Sequence, residues 1–96
     1  MKLIYSADAV EDLIRLREFI AAENPPAANR VARELKVKIE QLRQLPKLGK
    51  GVALSPDPEN MRDLIAGCYI IRYQVLPHLL VILRVWHHRE DRPSND

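Results

Sequence analysis

The stretch that decides the fold spans residues 67–91 and reads GCYIIRYQVLPHLLVILRVWHHRED. It contains two runs of branched, aromatic and other apolar residues, 69–75 and 79–86, separated by Leu76, Pro77 and His78. Such runs are typical of strands, because branched and aromatic side chains pack well on a pleated surface. The pattern therefore predicts a β-hairpin, and Gly67 predicts a tight turn or bulge before it.

The two predicted strands differ in their side-chain pattern. In the first run the odd-numbered residues point to one face, while the even-numbered residues, which include Arg72, point to the other. The second run is apolar on both faces except for Arg84, which is typical of a central strand covered on both sides. It ends in the polar residues 87–91, so we expect the rest of the chain either to cover the sheet or to use this polar end.

The first of two helices is predicted over residues 7–23, where apolar positions recur at spacings of three and four. Ser6 precedes the pattern as a candidate N-cap, since its hydroxyl can accept a hydrogen bond from an unpaired amide of the first turn. Glu11, Asp12 and Glu18 are interpreted as charges on the solvated face.

The second helix is predicted from Pro25 to Leu45, and Pro46 ends it. Asn24 separates the two helices, and this short link predicts an antiparallel helical hairpin. The solvated face of the second helix is basic, with Glu34 and Glu40 available for local ion pairs. Its cations are Arg30, Arg33, Lys36, Lys38 and Arg43.

Residues 2–5 and 61–66 are predicted as further strands, residues 47–51 as a loop, and residues 52–60, with two prolines, as extended or irregular. Residues 92–96 form a polar tail that we expect to fray. A strand, two helices and then three strands predict an α+β fold, with the helical hairpin on one face of a mostly antiparallel sheet.

Composition agrees with one small globular domain over residues 1–96. The net charge of +2 permits an anionic partner without requiring one. The one cysteine excludes an internal disulfide and fits a reducing compartment. With no apparent signal peptide and no apolar run of the ~20 residues that a membrane span needs, a cytoplasmic protein without a membrane partner is expected.

Several segments, in order, carry a resemblance to a known family. They are residues 6–13 (SADAVEDL), 24–28 (NPPAA), 45–49 (LPKLG), 62–67 and 69–75 (RDLIAG and YIIRYQV), and 82–87 (ILRVWH) with Arg89 and Asp91. Together they resemble the ParE/RelE superfamily of bacterial toxins from type II toxin–antitoxin systems, nearer to its ParE branch. His88 departs from the pattern, because a small residue often follows the histidine.

This resemblance implies a RelE/ParE-like β-α-α-β-β-β toxin domain whose antitoxin, ParD-like or RelB-like, wraps it in a hetero-oligomer. For the ParE branch it implies inhibition of DNA gyrase without a catalytic site or a cofactor. For the RelE branch it implies instead an endoribonuclease that cuts messenger RNA on the ribosome. ParE-like inhibition is preferred here, because the sequence shows no full catalytic set.

The ribonuclease alternative would use His87 with Arg72 and Arg84. A histidine near a strand end can transfer protons near neutral pH, and the arginines would stabilise developing phosphate charge. Adjacent strand residues point to opposite faces, so we expect at most one of His87 and His88 to face a cleft. The simpler interpretation is that His87 closes the sheet by hydrogen bonding and that His88 is solvated.

No metal site is expected from the sequence. A site built from His78, His87 and His88 is disfavoured, because the chain lacks cysteine pairs and a helical His-x-x-x-His spacing. Cys68 is interpreted as a packed or strand-edge thiol. Residues 47–51 superficially match a phosphate-binding loop but lack its Lys-Ser or Lys-Thr pair, so a surface turn is expected.

Overall fold

The computed structural model describes residues 1–90, so Asp91 and the predicted tail lie outside the described residues. Two helices and five strands follow one another along the chain. They are β1 (Lys2–Tyr5), α1 (Ala7–Glu23), α2 (Pro25–Gln41), β2 (Lys50–Gly51), β3 (Met61–Ala66), β4 (Tyr69–Leu76) and β5 (Leu79–His87). Within residues 1–90, no helix is long and apolar enough to cross a membrane.

The strands form one sheet in the order β1-β5-β4-β3-β2. The predicted hairpin is β4 and β5, and β5 pairs on its other side with β1 in parallel. A parallel pair requires a long crossover, which the α1–α2 hairpin provides. The α+β prediction is confirmed, with one addition: residues 50–51, predicted as loop, pair with β3 and extend the sheet to five strands.

Polar side chains begin both helices. The Ser6 hydroxyl accepts a hydrogen bond from the Ala9 amide at 3.0 Å, and the Asn24 side chain accepts one from the Ala27 amide at 3.1 Å. The second helix ends at Gln41, four residues before the predicted end. Leu42 is still fully buried, and its amide bonds to the Ile39 carbonyl at 3.0 Å, so the chain tightens into turns before Pro46.

The core lies between the helical hairpin and one face of the sheet. Leu80, Ile82 and Val85 of β5 are fully buried there. They pack in one cluster with residues of both helices and of β3 and β4, which are Ala9, Leu16, Leu35, Ile39, Leu42, Leu64, Ala66, Ile71 and Tyr73. The helices of the described chain therefore cover one face of β5, whereas on its other face Trp86 is buried beside the Arg72 side chain of β4.

A β-bulge changes which residues of β5 face the core. Arg72 pairs with Arg84, but the next residue of β4, Tyr73, pairs with Ile82, so Leu83 has no partner of its own. The extra residue moves the buried series of β5 from even to odd numbers, and Ile82 and Val85 both reach the core. A strand that changes faces in this way has core residues at both even and odd positions.

Tyr73 connects the sheet to the loop after α2. It is fully buried, donates a hydrogen bond to the Pro46 carbonyl at 2.7 Å and accepts one from the Gly49 amide at 2.8 Å. A Cβ on Gly49 would lie 2.8 Å from the Tyr73 ring and hydroxyl and from the Asp63 carbonyl. This close approach requires glycine, and it brings residues 50–51 into register with β3.

Replacing Tyr73 with phenylalanine should destabilise the fold by about 2 kcal/mol, because the Gly49 amide and the Pro46 carbonyl both lose a buried partner. Urea denaturation measures this loss, and Tyr69→Phe on the same strand is the matched control. Equal effects of the two substitutions would contradict the structural role given to the Tyr73 hydroxyl.

Candidate functional site

Asp12 is a buried carboxylate on α1, with 3% of its surface exposed. It accepts hydrogen bonds from the Val85 amide at 2.9 Å and from Arg84 Nε and Nη2 at 2.8 and 3.1 Å. The sequence interpretation of Asp12 as a solvated charge is therefore wrong, whereas Glu11 and Glu18 are exposed as expected. Its spacing of three residues from Ala9 and four from Leu16 could have indicated a position beside the apolar face, but only the fold shows that β5 lies against it.

The Asp12 carboxylate provides a hydrogen-bond acceptor to β5 where a neighbouring strand would otherwise provide one. The pairing of β1 with β5 ends where Tyr5 faces Ile82, and the Ser6 amide and hydroxyl then bond to the Ile82 and Leu83 carbonyls. After Ile82, the edge of β5 that pairs with β1 has no further strand partner. On this edge the Val85 amide instead donates its hydrogen bond to the Asp12 carboxylate. Without Asp12 that amide would be buried and unpaired, which is costly.

Burial raises the pKa of Asp12, but hydrogen bonds from Arg84, the Val85 amide and Arg15 outweigh it and hold the pKa below the usual value. Arg15 connects this carboxylate to the polar end of β5. Its guanidinium lies 3.3 Å from Asp12 and also bonds Glu90, whose carboxylate accepts the His87 amide at 2.8 Å. Ion pairs from Asp12 through Arg15 to Glu90, and the hydrogen bond from the His87 amide to Glu90, thus connect the interior to the end of β5.

Arg72 and Arg84 are directly opposite each other on β4 and β5, yet their side chains bond different carboxylates. Arg72 is 6% exposed, bonds both oxygens of Asp63 at 2.9 and 3.0 Å, and lies 5.2 Å from the centre of the Trp86 ring. Arg84 likewise donates two hydrogen bonds, one to each carboxylate oxygen of Asp12. Each guanidinium of the predicted ribonuclease set is therefore neutralised in place.

His87 lies at the end of the sheet with its ring edge-on to Tyr69 at 5.2 Å. The His88 ring stacks on it at 4.7 Å with the planes 27° apart. The prediction that the two histidines point to opposite faces is wrong, because β5 ends at His87 and His88 already belongs to the following turn. Both imidazole rings consequently lie side by side at the end of β5.

Hydrogen bonding and burial limit which groups at this end of the sheet can transfer a proton. His87 Nδ1 accepts a hydrogen bond from the Arg89 amide at 3.1 Å. Burial raises the pKa of Tyr69, so its phenol keeps its proton at neutral pH and is not a base. Of the predicted catalytic residues, the structure leaves the His87 ring accessible and brings it near the exposed Arg89, while Arg72 and Arg84 are already paired.

The third histidine is elsewhere. His78 occupies the turn between β4 and β5, at the opposite end of the hairpin from His87. Cys68 lies beside the histidine pair instead, exposed in the two-residue loop between β3 and β4. Potential ligand atoms of Cys68, His87 and His88 are all within 4.8 Å of one another. No sequence pattern predicted this cluster, because Cys68 is 20 residues away from His88 along the chain.

A second candidate region lies on the helices. An apolar cleft of about 290 Å³ runs between α1 and α2, and Ile14, Ile20 and Val31 line it with Arg17 and Lys36 at its rim. On the basic face of α2, Arg30 pairs with Glu34 and Arg43 with Glu40, as the sequence predicted. The remaining cations of that face, Arg33, Lys36 and Lys38, have no carboxylate partner within residues 1–90.

Comparison with known proteins agrees with this architecture. A chain from a solved structure titled "Chromosomal ParDE TA system from P. aeruginosa" superposes with a TM-score of 0.76, over 91% of this chain and 95% of that one. At 20% identity this likeness shows a shared fold.

The family itself is shown by sequence. Residues 3–92 match the family described as ParE toxin of type II toxin-antitoxin system, parDE. Toxin RelE3 of Caulobacter vibrioides is 34% identical over 88 residues, which cover 88% of this chain and 90% of that protein. Toxin RelE2 of the same organism is 30% identical over 87 residues, covering 90% and 93%. The chain belongs to the ParE toxin family of type II toxin–antitoxin systems.

Asp12→Asn should lower the free energy of unfolding at pH 7 by about 3 kcal/mol, because Arg84 loses the charge that compensates it. The pKa of Asp12 is lower in the folded state than in the unfolded state. Its ionised form therefore stabilises the fold at pH values above the usual pKa of an aspartate, and this stabilisation is lost as the pH falls through the folded-state pKa. Urea denaturation from pH 7 to pH 3 should show the wild-type advantage shrinking with acid.

Glu11→Gln, the exposed neighbouring acid, is the matched control and should change stability by less than about 0.5 kcal/mol. A constant difference between wild type and Asp12→Asn across the whole pH range would show that the carboxylate is not ionised in the fold.

Proposed function

We propose that this protein acts as a non-catalytic toxin that inhibits DNA gyrase by direct contact and is neutralised by a cognate antitoxin. One observation carries the non-catalytic part. Arg72 and Arg84, which would have to stabilise phosphate charge in a ribonuclease, are each held by two hydrogen bonds to a carboxylate.

Those ion pairs oppose phosphoryl chemistry for a physical reason. An arginine that stabilises a transition state must direct unneutralised N–H groups at the developing charge. To do so here, Arg84 would have to leave Asp12, and the buried carboxylate would remain without its partner, at a cost of about 3–5 kcal/mol. Arg72 would likewise have to leave both Asp63 and the Trp86 ring. Both arginines are better suited to holding the sheet together.

The antitoxin is expected to bind the cleft between α1 and α2. The cleft is apolar along its length and basic at its rim, which fits an amphipathic helix with acidic residues along its flanks. A ParD-like or RelB-like antitoxin segment of this kind would cover apolar surface that a domain of this size leaves exposed, and would give a hetero-oligomer. The P. aeruginosa structure, which is that of a ParDE system, supports such a pairing by analogy.

An extended part of the same antitoxin has a second place to bind. Strand β2 pairs only with Arg62 and Asp63, so the outer edge of β3 from residue 64 to residue 66 has no strand partner in the described chain. Ile65 is largely exposed on this segment. A short added strand would satisfy the free amides and carbonyls of β3.

A RelE-like endoribonuclease that acts on ribosome-bound messenger RNA is the alternative function. It is favoured by the names of the Caulobacter relatives and by the exposed cluster of His87, His88 and Arg89 at the end of β5. In this alternative His87 would transfer a proton and Arg89, rather than Arg72 or Arg84, would meet the phosphate. Glu90 bonds the backbone amide of His87, and within residues 1–90 no carboxylate is hydrogen-bonded to the His87 ring.

Purified toxin should inhibit supercoiling by DNA gyrase and leave ribosome-bound messenger RNA intact. Because a contact inhibitor needs no proton transfer, the double variant His87→Ala/His88→Ala should inhibit gyrase within about twofold of wild type, a difference below 0.5 kcal/mol. His78→Ala, at the opposite end of the hairpin, is the control for a lost surface histidine. Messenger RNA cleavage that disappears in His87→Ala would establish the ribonuclease instead.

Ile14→Glu should weaken antitoxin binding by at least about tenfold, because it places a charge in the apolar cleft where 53% of the Ile14 side chain is now exposed. The matched control is Val37→Glu, since Val37 is 59% exposed on α2 but lies outside the cleft. Calorimetric titration with the protein encoded beside the toxin measures both affinities. Equal affinities of the two variants would exclude the cleft as the binding surface.

A further inference from the structure

We propose that Cys68, His87 and His88 form a binding site for a single Zn²⁺ ion, which would connect the β3–β4 loop to the end of β5. Thiolate sulfur and imidazole nitrogen are the ligands that zinc takes in proteins, and three such ligands with an open fourth position make a complete protein contribution. The site is independent of the proposed inhibition of gyrase.

The fold brings these residues together through the register of the sheet. Tyr69 pairs with His87, so the loop that precedes Tyr69 lies beside the residues that follow His87. Gly67 has a φ of 61°, which permits the two-residue turn that places Cys68 there. The His88 amide then donates to the Cys68 carbonyl at 2.8 Å and fixes the two backbones against each other.

The distances are close to those that zinc requires. With Zn–N bonds of about 2.0–2.1 Å and a Zn–S bond of about 2.3 Å, tetrahedral ligand atoms lie about 3.3–3.7 Å apart. Ligand atoms of the three residues already lie within 4.8 Å of one another. Cys68 and His88 are exposed, so side-chain rotation alone can supply the remaining movement of about 1 Å, and an ion can enter from solvent.

The hydrogen bond of His88 selects the ring tautomer that a zinc ligand needs. Its Nδ1 lies 3.1 Å from the Cys68 carbonyl oxygen, which can only accept a hydrogen bond, so Nδ1 carries the proton. The lone pair of the neutral ring is therefore on Nε2. Zinc-bound histidines characteristically donate their other ring nitrogen to a carbonyl or carboxylate in this way, which fixes the ring and raises its basicity.

His87 has to exchange one hydrogen bond for the metal. Its Nδ1 now accepts from the Arg89 amide at 3.1 Å. Whether zinc binds at Nδ1 directly or at Nε2 with a proton moved to Nδ1, the Arg89 amide loses its acceptor. Arg89 is exposed, so its amide can form a hydrogen bond with water instead and the exchange costs little free energy. The change at the Arg89 amide also provides a signal by which zinc binding at this site can be detected.

The metal site that the sequence analysis disfavoured was one built from His78, His87 and His88. His78 lies at the opposite end of the hairpin, and the third ligand is Cys68, whose position 20 residues before His88 matches no metal-binding spacing. A stacked histidine pair beside a cysteine is a cluster that only the β4–β5 register creates.

The full chain, prepared without a histidine tag, freed of metal with a chelator and kept reduced, is titrated with Co²⁺ and then with Zn²⁺. We expect one ion per chain, a thiolate-to-cobalt charge-transfer band, the intense visible bands of tetrahedral cobalt, and loss of both on adding zinc. In amide NMR spectra the Arg89 resonance should shift on binding. Thermal unfolding should move to higher temperature with zinc and return with the chelator.

Cys68→Ser and His88→Ala should each weaken zinc binding by at least tenfold, since even the loss of an outer partner of a zinc ligand costs about 10–100-fold. His78→Ala is the matched control and should bind as wild type does. The proposal is overturned by wild-type affinity in Cys68→Ser, by a cobalt spectrum without the thiolate band, or by one ion shared between two chains.

Discussion

The structure depends on the bond between one buried carboxylate and one strand. Asp12 accepts the Val85 amide that β1 is too short to reach, and Arg84 supplies the charge that allows the carboxylate to stay ionised inside the protein. Because Asp12 is on α1, this bond also holds the helical hairpin against the central strand. A hydrophobic residue of similar size could fill the space but could not satisfy the Val85 amide.

Sequence patterns predicted the order of elements because those patterns are local. Caps at Ser6 and Asn24 and the turn at Gly67 lie where residue chemistry requires them. What the patterns could not contain is the register between distant strands. The bulge at Leu83 and the short strand Lys50–Gly51 arise only from pairing, and the bulge places core residues at both even and odd positions of β5.

The candidate site shows the same division. Arg72, Arg84 and His87 were recognisable from the sequence as polar residues on an apolar hairpin, but a residue's availability depends on its neighbours in space. Asp63 and Asp12 neutralise the two arginines, and Cys68 approaches the histidines across the end of the sheet. Family membership defines the toxin class, while these contacts are the basis of the proposal that the protein acts by binding and not by catalysis.

The most direct test of this account is a double-mutant cycle between Asp12→Asn and Arg84→Met, followed by urea denaturation at neutral pH. If the pair holds α1 against β5, the two residues should be coupled by about 1–3 kcal/mol. Effects that add to within about 0.5 kcal/mol would mean that Arg84 is free of Asp12 in solution and available for other chemistry.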